Sequence, residues 1–231
     1  MRCGVIFFFL GLVLLAGSGW IFESLLARLV AAYSAMGFLV VSFGYFLRLP
    51  AVWLKRGDGT INPLGYLLCL PLHLLNWISL HLAARCQKYP ALQEIAPNLW
   101  LGRRPFESEA KALVAADEWA VVDLTSEFQE PLALRSGKYL CLPTLDHTAP
   151  LRSQLKSALD FIAAEKSLRK VLVHCALGHG RSATIVAAWL IQNGMAKTAS
   201  EADGQLRRIR PGVRLKKTQR RLLEEYFPEN L

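Results

Sequence analysis

The chain predicts an α/β domain, with a short central sheet flanked by helices, preceded by hydrophobic transmembrane helices. Three observations lead to that expectation. Apolar β-branched runs alternate with helix-periodic stretches from residue 99 onward. One such run, residues 171–173, leads through a glycine-containing loop directly into an apolar-faced helix. Charge is absent from residues 3–22 and again from residues 29–47, twenty and nineteen residues respectively.

The two uncharged runs come first. Each is long enough to cross a hydrocarbon core of ~30 Å at 1.5 Å per residue. A cleaved signal peptide would also open with Arg2 and an apolar stretch. Here, however, the second run follows at once, and no small-x-small cleavage site precedes polar sequence. The runs are therefore expected to stay as a helical hairpin joined by residues 22–28. A third apolar stretch, residues 61–82, carries Pro63, Pro71, His73, Asn76 and His81, which are costly in a lipid-facing helix. The alternative is a third span, which would put the following domain on the other side; the stretch is expected instead to lie in the membrane interface. Arg48, Lys55 and Arg56 before it, and Arg85 and Lys88 after it, would then share the cytoplasmic side with the domain that follows. Residues 1–89 hold seven Lys/Arg and two Asp/Glu, against twenty and sixteen in residues 90–231. That shift in composition divides the chain into a membrane-anchoring region (1–89) and a soluble domain (90–231).

Five scattered cysteines suggest no disulfide framework. Cys141 lies on a strand and reads as a small buried hydrophobe rather than a redox partner.

Within the soluble part, residues 88–97 contain two prolines and read as a linker. Residues 107–116 suit a helix, 120–124 a strand, 128–138 a loop with a helical turn, and 139–142 a strand. Residues 143–150 form a loop with proline at both ends, and 151–168 a helix. The central strand, the glycine loop and a helix over 181–193 follow, with Gly194 just past its end. Residues 200–209 and 216–226 read as the last two helices. There is no internal repeat.

The loop His174-Cys175-Ala176-Leu177-Gly178-His179-Gly180-Arg181-Ser182 carries the chemistry. Two glycines allow its amides to turn inward, and the following helix adds its N-terminal dipole. Such a nest holds a phosphate-like dianion and stabilises a thiolate, so Cys175 is expected to be a nucleophile at neutral pH. Arg181 can return its planar fork to two anionic oxygens.

Cys-x5-Arg-Ser in this setting resembles the protein tyrosine phosphatase superfamily, and its dual-specificity branch in particular. Asn98-Leu99-Trp100-Leu101-Gly102, Val121-Val122-Asp123-Leu124, Tyr139-Leu140-Cys141-Leu142-Pro143 with Asp146, and Arg210-Pro211-Gly212-Val213 with Gln219 are similar to further elements of that branch. The resemblance spans roughly residues 95–228. It implies that Cys175 is the nucleophile, that Arg181 and the loop residues Ala176, Leu177, Gly178, His179 and Gly180 bind phosphate, and that Ser182 assists departure of the thiolate. It also implies that His174 orders the loop and that Asp146 is the general acid. Asp123 and Asp160 are weaker rivals for the acid, and His147 reads as a surface histidine. No metal or organic cofactor is implied.

The resemblance points to a membrane-anchored phosphatase acting on a phosphoprotein. A phospholipid monoester such as phosphatidylglycerophosphate is the alternative, because the domain is tethered to a bilayer. The loop has no lysine, which argues against a multiply phosphorylated inositol lipid. A non-catalytic phosphate-binding module is a third reading, opposed by the intact Cys175, Arg181 and Asp146. The basic block Arg207, Arg208, Arg210, Arg214, Lys216, Lys217, Arg220 and Arg221 reads as a solvated face or a contact to anionic headgroups. Without an aromatic stacking platform it does not suggest nucleic acid.

Overall fold

Small residues let the first two helices meet closely. In the computed structural model, which describes residues 2–20 and 23–228, α1 (Arg2–Trp20) and α2 (Leu25–Leu47) pair as an antiparallel hairpin. Ser42 donates to the carbonyl of Gly4 at 2.8 Å, and Gly11 packs on Leu39 and the Ala35 carbonyl. Ser24 caps α2 by accepting from the amide of Ala27. The first uncharged run therefore forms a helix as expected, although residues 21 and 22 lie outside the described residues. Helix α2 begins four residues before the second run and takes in Arg28.

A 3-10 turn, Pro50–Trp53, follows. Next comes a tight loop in which Lys55 bridges Ile61. Gly59 sits there at φ +81 against the Tyr139 ring, a position closed to any side chain. Asn62 caps α3 (Pro63–Cys86). Pro71 lies inside this helix, and the backbone at Cys69 leaves helical values, so the prolines kink the segment without breaking it. Helix α3 has two faces. Gly65, Cys69, Leu72, His73 and Leu80 are buried, whereas Leu67, Leu74, Trp77, Ile78 and Leu82 are exposed. Both α2 and α3 are long and apolar enough to cross a membrane, with mean hydropathy 1.8 and 1.5 over their most apolar stretches.

The remaining elements are β1 (Leu92–Ala96), β2 (Leu99–Arg103), α4 (Glu107–Ala116), β3 (Trp119–Thr125), α5 (Leu132–Arg135), β4 (Lys138–Thr144), α6 (Arg152–Glu165), β5 (Lys170–Cys175), α7 (Arg181–Gln192), α8 (Ala199–Ile209) and α9 (Lys217–Tyr226). The five strands order as β1-β2-β5-β3-β4. All neighbours run parallel except β1, which pairs antiparallel with β2.

Two sequence expectations are corrected at the sheet edges. The segment read as a linker contains β1, because Pro90 and Pro97 fall just outside the strand. Pro143 lies inside β4 rather than in the loop after it. An edge strand leaves one side of its backbone unpaired, so a proline without an N–H is tolerated there. At the centre, β5 is buried from Val171 onward, and α7 is buried from Arg181 through Ile191. The phosphate-like loop thus joins the two most enclosed elements of the domain.

Candidate active site

The site begins where β5 ends. Cys175 is the last residue of the central strand and is 3% exposed. Gly178, at φ +73, turns the loop back; a Cβ there would collide with the backbone of Gly102. Gly180 then starts α7. Burial opposes ionisation of the Cys175 thiol. Arg181, the Ser182 hydroxyl and the Ser182 amide outweigh it, and the thiol is held below its ordinary value. Ser182 Oγ donates to the sulfur at 3.3 Å. Cys141 shows the contrast: burial pushes that thiol up to about 11.

Arg181 is 1% exposed and makes a two-pronged pair with Glu127, at 2.9 and 2.7 Å. Its Nη1 also donates to the Thr144 carbonyl at 2.9 Å. Among the described residues its Nε–H has no hydrogen-bond partner, which leaves it free for an oxyanion. Glu127 was not singled out from the sequence. It follows β3 by two residues and is fifty-four residues from Arg181, so no local spacing signals the pair.

Asp146 lies on the turn after β4, with Oδ1 3.3 Å from Arg181 Nη2 and Oδ2 3.5 Å from His147 Nε2. Burial raises its pKa, but Arg181 and His147 lower it further, and the carboxyl stays below its ordinary value. The rival acids are placed elsewhere. Asp160 sits on the exposed face of α6, paired with Lys156, and Asp123 is sealed in the sheet.

His174 is fully buried, with Nε2 3.3 Å from Glu130 and 3.9 Å from Asp123. Burial lowers its pKa, yet the two carboxylates carry it above the ordinary value. The sheet register sets this up, since Asp123 stands opposite His174 on the neighbouring strand. Asp123, Glu130 and His174 bring their ligand atoms within 4.8 Å of one another, as a metal site would. The cation among them is Lys55, whose Nζ lies 2.5 Å from Asp123 Oδ2 and also donates to the Thr125 carbonyl and hydroxyl. A residue of the N-terminal region is thus built into the support of the nucleophile. The sequence read Lys55 only as one charge of a juxtamembrane cluster and gave no hint of that.

The phosphate loop is braced from its other side. Arg210 is fully buried and donates to the carbonyls of Leu177 and Gly178 at 2.9 and 3.2 Å. Burial brings its pKa down to about 10. His179 meets Tyr89 at 2.6 Å, and burial together with Arg210 lowers its pKa to about 4, so it is neutral at pH 7.

These contacts correct the reading of the basic block as one charged face. Arg210 faces inward, Arg207 and Arg220 both pair with Asp203, and Arg221 pairs with Glu225. Arg214 and Lys216, both exposed, line the pocket mouth.

The pocket so formed holds about 280 Å3 and is lined by Cys175, Ala176, Leu177, His179, Gly180 and Arg181 at its floor. Gly178 shapes that floor from behind. Asp146, His147 and Gln219 form part of the wall, and Asn76, Ser79 and Leu80 of α3 complete it. A phosphate monoester fits this arrangement. Together at the pocket stand a thiol whose pKa is lowered, a buried guanidinium, the N-terminus of α7 and a carboxyl beside the opening.

Comparison with known proteins agrees. The family described as dual specificity phosphatase, catalytic domain, matches residues 99–228. Phosphatidylglycerophosphate phosphatase PTPMT2 of Arabidopsis thaliana is 30% identical over 179 residues, covering 74% of this chain and 77% of its own. Human dual specificity protein phosphatase 4 is 35% identical over 100 residues, covering 42% of this chain and 25% of its own. Among solved structures, the active form of Tk-PTP superposes with a TM-score of 0.54 at 31% identity, covering 60% of this chain and 97% of that one.

Proposed function

The chain belongs to the dual specificity phosphatase family, and we propose that it is a membrane-anchored phosphatase acting on a phospholipid monoester of the phosphatidylglycerophosphate type. The observation that carries this is the composition of the pocket wall. Helix α3 supplies Asn76, Ser79 and Leu80 to the mouth, and its opposite face exposes Leu67, Leu74, Trp77, Ile78 and Leu82. A catalytic mouth bordered by a helix with an unpartnered apolar face is suited to a substrate delivered from a bilayer. The resemblance to PTPMT2 points the same way. It covers more of this chain than residues 90–231 supply, so it extends into the helical region. These observations move the reading from a phosphoprotein, the default from the sequence, to the lipid.

The anchor follows the same logic. Helix α3 borders the catalytic pocket through Asn76, Ser79 and Leu80, so lipid cannot surround that helix over its whole length. It lies in the interface plane, and the α1–α2 hairpin crosses. The N-terminus and the catalytic domain then share the cytoplasmic side, where Cys175 stays reduced.

In the reaction, Cys175 thiolate attacks phosphorus and the P–O bond to the lipid alcohol breaks. Asp146 gives that alcohol its proton. Water then attacks the phosphocysteine while the Asp146 carboxylate takes a proton from it. The Cys175–phosphorus bond breaks, the thiolate leaves with the Ser182 hydrogen bond, and inorganic phosphate departs. Arg181 and the loop amides stabilise the equatorial oxygens in both steps.

The test assays the purified full chain in mixed micelles against dioleoyl phosphatidylglycerophosphate and phosphotyrosine peptides side by side, with Cys175→Ser as blank. Preferential release of phosphate from the lipid supports the proposal. Preferential turnover of the peptides would restore the phosphoprotein reading.

A further inference from the structure

A second cavity, of about 200 Å3, adjoins the catalytic pocket and shares Asn76, Glu127, Asp146 and His147 with it. Beyond those four residues its walls are almost wholly apolar and come from the helical region: Phe7 of α1, Phe38 and Tyr45 of α2, Trp53, and Leu72 and Leu75 of α3. The general acid fixes which way a substrate points. The group that departs toward Asp146 must lie on the Asp146 side of phosphorus, and Asp146 is one of the four residues at which the two cavities join. A leaving alcohol carried past Asp146 therefore enters the seam between the hairpin and α3. Phosphotyrosine would meet its peptide chain there, against apolar helices. A diacylglycerol end would meet walls of its own polarity.

We propose that this seam is the binding site for the glycerol and proximal acyl portion of the lipid, and that it selects a long-chain phosphomonoester over a soluble one. The inference rests on the lipid reading above and adds which residues recognise the apolar end. The polar residues on the path are placed to suit it. Lys216 and Arg214 at the mouth offer positive charge to an internal phosphodiester, while Asn76 marks the passage from the polar pocket to the apolar seam.

The experiment fills the seam. Leu75 lines the cavity but is half exposed, so Leu75→Trp adds bulk without disturbing a buried position. Leu168, exposed on the turn before β5 and away from α3, lines neither cavity, and Leu168→Trp is the control. Each full-length protein is assayed in mixed micelles with dioleoyl phosphatidylglycerophosphate and, separately, with nitrophenyl phosphate. The expected result is a fall of roughly tenfold in the lipid-to-nitrophenyl ratio of kcat/KM for Leu75→Trp, an effect of the size that overpacking produces. Leu168→Trp should leave the ratio at the unsubstituted value. As a second measurement, benzoylphenylalanine placed at position 75 in a Cys175→Ser background should crosslink to the dioleoyl lipid, and at position 168 it should not do so above bulk micelle labelling. If the unsubstituted chain turns over the lipid but the ratio is the same in both variants, or Leu75→Trp loses both substrates alike, the seam is structural and this inference falls while the lipid reading stands. If the unsubstituted chain does not act on the lipid, both fall together.

Discussion

The Lys55 ammonium, carried on the loop between α2 and α3, is completely buried 2.5 Å from the Asp123 carboxylate in the centre of the sheet. Asp123 also accepts from Tyr139 and from the amide and hydroxyl of Thr125, and it faces His174, the residue before the nucleophile. The helical region is therefore joined to the catalytic centre by a charge pair as well as by a chain connection. Burial raises the Asp123 pKa, but Lys55 and His174 together hold it well below the ordinary carboxylate range.

Removing Lys55 leaves a buried carboxylate without its cation. Lys55→Met should destabilise the protein by about 3–5 kcal/mol, read by denaturant unfolding of the detergent-solubilised chain. Lys55→Met with Asp123→Asn should recover part of the loss, because the stranded charge is gone. The sign with pH follows from the lowered carboxyl. The pair's contribution is complete above the ordinary carboxylate pKa and fades only as pH falls through the depressed one. The difference between unsubstituted and Lys55→Met proteins should therefore persist through neutral pH and shrink in strong acid. A double variant as unstable as the single one would show that Lys55 acts by packing alone.

Cys175→Ser should abolish turnover yet still bind vanadate or phosphate, because the loop amides and Arg181 are untouched. Alkylation of Cys175 by iodoacetate should have its midpoint below that of a free thiol, ~8.5. Ser182→Ala and Arg181→Met should each move that midpoint upward, since the Ser182 hydroxyl and the Arg181 charge both lower the Cys175 pKa. A midpoint unmoved in both would remove them from thiolate stabilisation.

Asp146 should control the other limb. Its carboxyl is held below the ordinary value, so its protonated fraction declines as pH rises through the acid range. Turnover limited by leaving-group protonation should peak below neutral pH and decline above the peak. Asp146→Asn should flatten that decline. It should cost ~10²–10⁴-fold on alkyl phosphates and far less on nitrophenyl phosphate, whose leaving group needs little protonation. Equal losses on both substrates would make Asp146 a structural residue.

Arg210 holds the phosphate loop by two carbonyls without lining the pocket. Arg210→Met should weaken inhibition by inorganic phosphate about tenfold, the equivalent of one charged hydrogen bond, with KM rising by a larger factor than kcat falls. Arg210→Lys should restore part of the affinity. Unchanged phosphate affinity in Arg210→Met would confine its role to packing.

How much of this was legible before folding depends on distance along the chain. The loop from His174 to Ser182 was readable because its strand, its glycines and its helix are consecutive, and their geometry is local. The Cys175–Ser182 contact needs only seven residues of chain. The same holds for the apolar helices, whose length and lack of charge are properties of a single segment. The partners of the loop were not legible. Glu127 reaches Arg181 across 54 positions, Arg210 reaches Leu177 across 33, and Lys55 reaches Asp123 across 68. Arg210 stood out in the sequence, but in each case no local spacing joins the residue to its partner.

What the sequence by itself determined is the strand, glycine loop and helix that carry Cys175 and Arg181, the α/β alternation and the apolar helices near the N-terminus. These follow from periodicity, turn chemistry and spacing, which act over one or two turns of chain. Only the tertiary structure decided that the basic block is not one face, that a strand occupies the expected linker, and that the third apolar segment walls the catalytic pocket. Those outcomes depend on which strands become neighbours and in what register. A buried charge selects its partner only after the sheet has brought the two together and water has left.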